Sequence, residues 1–176
     1  MRTKTIQTFV IALWVFLCPA GTFAKEFAPC APRSQEAIEL NQATGWDTCA
    51  GIPSQEEVGI PAYPESRVTS AAGGGFNLPR VTLLSTSPLE EVVEFYKKSL
   101  DATGWKWNET LSIFYQGDSV GDALAMKSPS IRISPATDAA DGYFLVDKAF
   151  RGTVKTEIEI HYKPVQAAGP SPAGQK

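Results

Sequence analysis

The run Ile113-Phe114-Tyr115-Gln116-Gly117-Asp118-Ser119 holds the clearest nucleophile pattern in the chain: a strand ending in Gly-Asp-Ser, with a serine hydroxyl at its tip. Serine attacks a carbonyl only when a neighbouring base takes its proton and donors hold the oxyanion that forms. His161 is the one histidine in the sequence. An acyl-transfer site would therefore join Ser119, or a carboxylate, to His161. His161 alternates onto the charged side of its segment, beside Glu157 and Glu159. There it would titrate near neutrality or hold a metal weakly; lacking a second ligand at a defined spacing, it reads first as a solvated residue.

The Gly-Asp-Ser block resembles the nucleophile block of the Gly-Asp-Ser-Leu esterases. Those enzymes draw their base from a late Asp-x-x-His, whereas the residue three before His161 is Ile158. Too little sequence follows the block to build an α/β hydrolase. A polar turn is the preferred reading, with a small hydrolase using Ser119 or a carboxylate with His161 as the alternative.

Other chemistries find less support. Asp118 with Asp122, and Asp138 with Asp141, flank turns without the Asp-x-Asp-x-Asp-Gly calcium spacing. Gly73-Gly74-Gly75 marks a flexible loop or wide turn and lacks the Gly-x-Gly-x-x-Gly phosphate pattern. Cys30 and Cys49 match neither a zinc site nor Cys-x-x-Cys, and in an exported chain they pair most simply as a disulfide. No catalytic residue, cofactor or metal is assigned. Trp46 and Phe76 are the candidate ligand-contact aromatics, because an exposed aromatic beside a flexible loop suits a sugar, peptide or lipid. Trp105 and Trp107 are expected to pack inside if they share a strand face.

The elements that must position these residues are one helix and several strands. Ser87-Pro88-Leu89-Glu90 reads as a capping box, with serine at the N-cap and proline at the first helical position. Leu89, Val92, Val93, Tyr96 and Leu100 follow at helical spacing, and Gly104 with Trp105 closes the helix. Glu94 and Lys98 are spaced for an i,i+4 pair. This gives one long helix over about 88–103. A shorter helix is expected from Ser34 to Asn41.

Strands are expected near Arg67–Ser70, Arg80–Ser85, Thr110–Gln116, Ser130–Ser134 and Thr153–Lys163. The last alternates apolar Val154, Ile158 and Ile160 with charged Lys155, Glu157 and Glu159, as a strand with one wet side does. Without repeated βαβ units, the class is α+β: an antiparallel sheet of about five strands with the helix packed on one face.

Ile60-Pro61-Ala62-Tyr63-Pro64, then Val92-Val93-Glu94-Phe95-Tyr96-Lys97-Lys98 and Gly104-Trp105, resemble a set of bacterial exported and lipoprotein domains of unknown function. Those domains share an Ile-Pro-x-Tyr-Pro lead-in, a Val-x-x-Phe-Tyr-Lys helix and a closing Gly-Trp. The resemblance covers residues 60–107, implies export and an α+β fold, and supplies no catalytic residue.

The two ends set the compartment. Arg2 and Lys4, the apolar run Phe9–Leu17 and Thr22-Phe23-Ala24 form the three parts of a signal peptide, residues 1–24. Bulky Val15-Phe16-Leu17 before Cys18 disfavours lipidation. Setting aside Arg2 and Lys4 leaves fourteen basic against nineteen acidic residues, a balance of −5, which argues against nucleic acid as a partner. Residues 25–59 read as a disulfide-linked arm, 60–163 as the α+β domain and 164–176, rich in proline and glycine, as a disordered tail. The expectation is a periplasmic or secreted domain with no stable membrane span after cleavage. It is read as a non-catalytic binding or interaction module of the cell envelope whose partner is an envelope protein or a small ligand. A structural accessory subunit is a further alternative.

Overall fold

The computed structural model describes residues 27–45, 49–73, 75, 77–137 and 145–165. The signal-peptide residues 1–24, most of the expected tail, Trp46, Phe76, Asp138 and Asp141 lie outside them.

The class is α+β, with one antiparallel sheet of six strands and several short helices. In chain order the elements are α1 (Gln35–Thr44), α2 (Gln55–Val58), β1 (Ser66–Ala72), β2 (Arg80–Ser85), α3 (Leu89–Leu100), β3 (Lys106–Asn108), β4 (Ile113–Tyr115), α4 (Val120–Leu124), β5 (Ser130–Pro135), α5 (Lys148–Arg151) and β6 (Thr156–His161). The strands lie in the order β1-β2-β6-β5-β4-β3, every neighbour antiparallel. The sixth strand, beyond the expected five, is the three-residue β3 at an edge.

β6, the last of the described strands, sits between β2 and β5. Its Ile158 and Ile160 are flanked by Leu83 and Val81 on one side and by Ile133 and Ile131 on the other, all fully buried. Each such side chain contributes about 1.5–3 kcal/mol on burial. Val92, Tyr96 and Leu100 of α3 belong to the same core cluster as this face. The opposite face is not uniformly wet, as the alternation of β6 had implied. Leu84 packs there with Ala31 and Val146, and Phe150 and Val154 close over them. His161 is buried on that side too, at 4% exposure.

α3 is shorter than the expected long helix, at 12 residues, and its N-terminus differs in kind. Pro88 takes the N-cap position, and no side chain caps the helix. Ser87 is drawn elsewhere: its hydroxyl accepts from the Tyr63 hydroxyl at 3.0 Å and donates to Glu65 Oε2 at 3.3 Å. Its carbonyl accepts from Thr156 Oγ1 at 2.8 Å. A buried serine with tertiary partners satisfies them rather than a capping box. Glu90 and Glu91 in the first turn still suit the positive end of the helix. The surface pair also changes: Glu94 binds Lys97 at 2.8 Å, one residue short of the expected Lys98. Both spacings lie on one helix face, and exposed pairs of either kind are worth tenths of a kcal/mol. At the other end, Thr103 Oγ1 donates to the Leu100 carbonyl at 2.7 Å, and Gly104 adopts φ +74°.

Cys30 and Cys49 are joined by a disulfide, with Cα atoms 6.0 Å apart. The arm carrying Cys30 lies along the free edge of β1: Ala31 N donates to the Val68 carbonyl at 2.8 Å, and Val68 N donates to the Pro29 carbonyl at 2.9 Å. Those bonds occupy backbone groups that an edge strand would otherwise leave open to another chain.

Candidate functional site

The polar half of the sheet's second face is organised around the end of β6. His161 has Arg80 of β2 as its cross-strand partner on one side and Ser130 of β5 on the other. Glu159, two residues earlier, stands on the same face because strand side chains repeat every second residue. Its own cross-strand partners are Thr82 and Arg132.

The contacts are specific. His161 Nε2 lies 2.8 Å from Glu159 Oε1, and Arg80 NH1 lies 3.7 Å from Glu159 Oε2. The hydrogen bond from His161 holds the Glu159 carboxyl below the usual carboxylate range, helped by Arg80 and Arg132 and opposed by burial. An ionised carboxylate can only accept, so Nε2 is the donor in this contact. Nδ1 is buried and has no hydrogen-bond partner.

His161 borders a cavity of about 340 Å³ at the loop end of the β1–β2 hairpin. Ala72, Leu78 and Met126 supply apolar wall, and Arg80 and Asn77 supply polar wall. Met126 reaches this place through the turn after α4, at φ +57°, where its carbonyl accepts from Leu78 N at 3.2 Å. Asn77 Nδ2 approaches Met126 Sδ at 3.8 Å. The loop between β1 and β2 contributes Gly73 and Gly75 to the rim.

Ser119 does not partner His161. It is exposed and forms the N-cap of α4, its Oγ accepting from Gly121 N at 3.0 Å, while the imidazole is tied to Glu159. Of the nearby carboxylates, Glu159 is the one in contact with His161. Asp122 stands in the first turn of α4. Trp105 and Trp107 are half-buried and pack against the core, Trp107 stacking obliquely on Phe114 with centroids 4.4 Å apart. With Lys97 and Asp101 they border a second cavity of about 290 Å³.

Sequence alternation had placed Glu159 and His161 on one face, but it assigned His161 to solvent and left Arg80 out. Both depend on β6 being a central strand. Among the described residues, no three His, Cys, Asp or Glu side chains converge to hold a metal ion, and no helix is long and apolar enough to cross a membrane. No family model, no curated protein and no solved structure matches the chain.

Proposed function

We propose that this chain is an exported, non-catalytic binding module of the cell envelope, and that its ligand seat is the cavity beside His161. The observation that carries the reading is a concave site walled by a buried imidazole whose Nε2 is held by Glu159 and whose Nδ1 has no partner. Pockets of this kind, mostly apolar with a few placed polar groups, are the usual form of a small-molecule site. Ser119, the one patterned nucleophile, is occupied as a helix cap. Export is supported by the signal-like N-terminus and by the Cys30–Cys49 disulfide, a bond of oxidising compartments.

The competing hydrolase reading has the Glu159–His161 contact in its favour, since a carboxylate-oriented imidazole is a competent general base. Turnover of 4-nitrophenyl acetate and butyrate separates the two. The purified chain is expected to leave both esters at the buffer rate. A rate above buffer that disappears in His161→Gln and persists in a surface control such as Lys98→Gln would replace the binding reading with the hydrolase.

A further inference from the structure

The cavity of about 290 Å³ between the end of α3 and the edge strand β3 lies on the core face of the sheet, away from His161. It is bordered by Lys97, Leu100, Asp101, Trp105, Trp107 and Phe114. We infer that it is a second binding site, independent of the one proposed above, and that its ligand is a sugar. Such a ring is uncharged, with an apolar C–H face and hydroxyl groups around its edge.

The first reason is aromatic surface. The turn at Gly104, with φ +74°, brings the chain from α3 to Trp105, and Trp107 follows two residues later on the same side. Trp107 rests obliquely on Phe114, its cross-strand partner in β4, with ring centroids 4.4 Å apart. Both indoles are half-buried and border the cavity rather than closing it. Neither indole N–H makes a hydrogen bond among the described residues, although a Trp held in a core usually satisfies that group. Flat apolar walls with spare N–H donors suit a ring that offers C–H bonds on its face and oxygen at its edge.

The second reason is the charge at the rim. Asp101, exposed where α3 ends, has no ion pair and no side-chain hydrogen bond among the described residues. Lys97, one turn earlier, gives Glu94 a contact at 2.8 Å and keeps further N–H donors. An anion entering here would meet Asp101, and a cation would meet Lys97. A purely apolar ring would leave both polar groups unserved. Hydroxyl groups donate and accept, so a sugar gives to Asp101 and receives from Lys97 and the indoles. The volume has room for about one sugar ring, at the small end of known ligand pockets.

The sequence has four tryptophans, so protein labelled with ¹⁵N-tryptophan gives at most four indole N–H signals, assigned with Trp105→Phe and Trp107→Phe. Ring probes at millimolar concentration test the inference: methyl β-glucoside, cellobiose and chitobiose against cyclohexanol, cyclohexylamine and cyclohexanecarboxylate. At least one sugar is expected to bind saturably and to shift the Trp105 and Trp107 signals, while ¹⁵N-histidine signals of His161 stay in place. Tighter binding of a disaccharide than of the methyl glucoside would support a glycan chain as the source, and equal binding a free sugar. Asp101→Ala, at an exposed position, is expected to weaken the sugar about tenfold, the loss of one hydrogen bond to a charged group. Cyclohexanol binding as tightly as the best sugar, or a charged probe binding more tightly, would overturn the ligand class. Undiminished sugar binding by Asp101→Ala, or unmoved indole signals with every sugar, would overturn the site and leave the reading of the His161 cavity untouched.

Discussion

Nε2 of His161 sits 2.8 Å from Oε1 of Glu159, its neighbour two positions back on the same strand. Pairs at i,i+2 on a strand are held on one face by the pleat, and this one is enclosed from both sides by β2 and β5. The contact makes Glu159 the group through which acid should act on the fold.

Glu159 is held below the usual carboxylate range, first by the hydrogen bond from His161 and then by the nearby guanidinium groups. A carboxyl with a depressed folded pKa adds stability above its unfolded value, 4.5, and loses it as pH falls through the lower folded value. Glu159→Gln is therefore expected to cost about 1–2 kcal/mol at pH 7 and to flatten the acid side of the stability profile. Urea unfolding at pH 7 and below pH 4 checks this. An equal loss at both values would mean that the carboxylate charge contributes nothing.

The Cys30–Cys49 disulfide closes a loop between residues 19 apart. Replacing both cysteines with alanine should lower stability by about 3 kcal/mol in the chain-entropy model. The loss should also be local. Val68 N, bonded to the Pro29 carbonyl, and Ala31 N, bonded to the Val68 carbonyl, are expected to exchange with deuterium faster than the β2–β6 amides. Uniform acceleration across the sheet would show that the arm does not open separately.

Tyr96, on the inner face of α3, is fully buried between Phe95 and Phe114, and its hydroxyl has only a poorly aligned contact with the backbone of Tyr63. Burial pushes its ionisation well above the usual tyrosine range. Tyr96→Phe keeps the ring and removes a poorly satisfied hydroxyl, so thermal unfolding should show unchanged stability or a gain of up to about 1 kcal/mol. Tyr96→Ala, by contrast, should cost about 3–5 kcal/mol through the cavity it leaves.

Two glycines separate backbone strain from crowding. Gly104 ends the turn after α3 at φ +74° with open space around it, so Gly104→Ala should cost about 1–2 kcal/mol from conformation alone. Gly59, at φ +65° after α2, would bring a Cβ within 3.0 Å of Val165 Cγ2. Gly59→Ala should cost at least as much as Gly104→Ala, and adding Val165→Ala should return it to the Gly104 level. A double variant no more stable than Gly59→Ala would rule out the Val165 contact.

Much of the local structure was legible from residue types. The apolar spacing Val92, Val93, Tyr96, Leu100 predicts the buried face of α3, and the alternation Ile158, Ile160 predicts the core face of β6, because those patterns follow from helix and strand periodicity alone. Gly104 in the left-handed region and the Cys30–Cys49 pairing follow equally from local chemistry and cysteine arithmetic. The three-residue β3 was harder to read, since Lys106-Trp107-Asn108 is too short to show a period.

What the sequence determined by itself is the set of surfaces each segment must bury and the class of fold that buries them. The tertiary structure decided which polar residues meet. Ser87 has the type and spacing of a helix cap, yet Tyr63, 24 residues earlier, and Thr156, 69 residues later, claim its polar atoms. His161 has the spacing of a solvent-facing residue, yet β2 and β5 close on both sides of β6 and bury it against Glu159 and Arg80. The physical reason is the same in both cases. Periodicity records the direction in which a side chain points, whereas strand order, set by non-local pairing, decides what stands there to meet it.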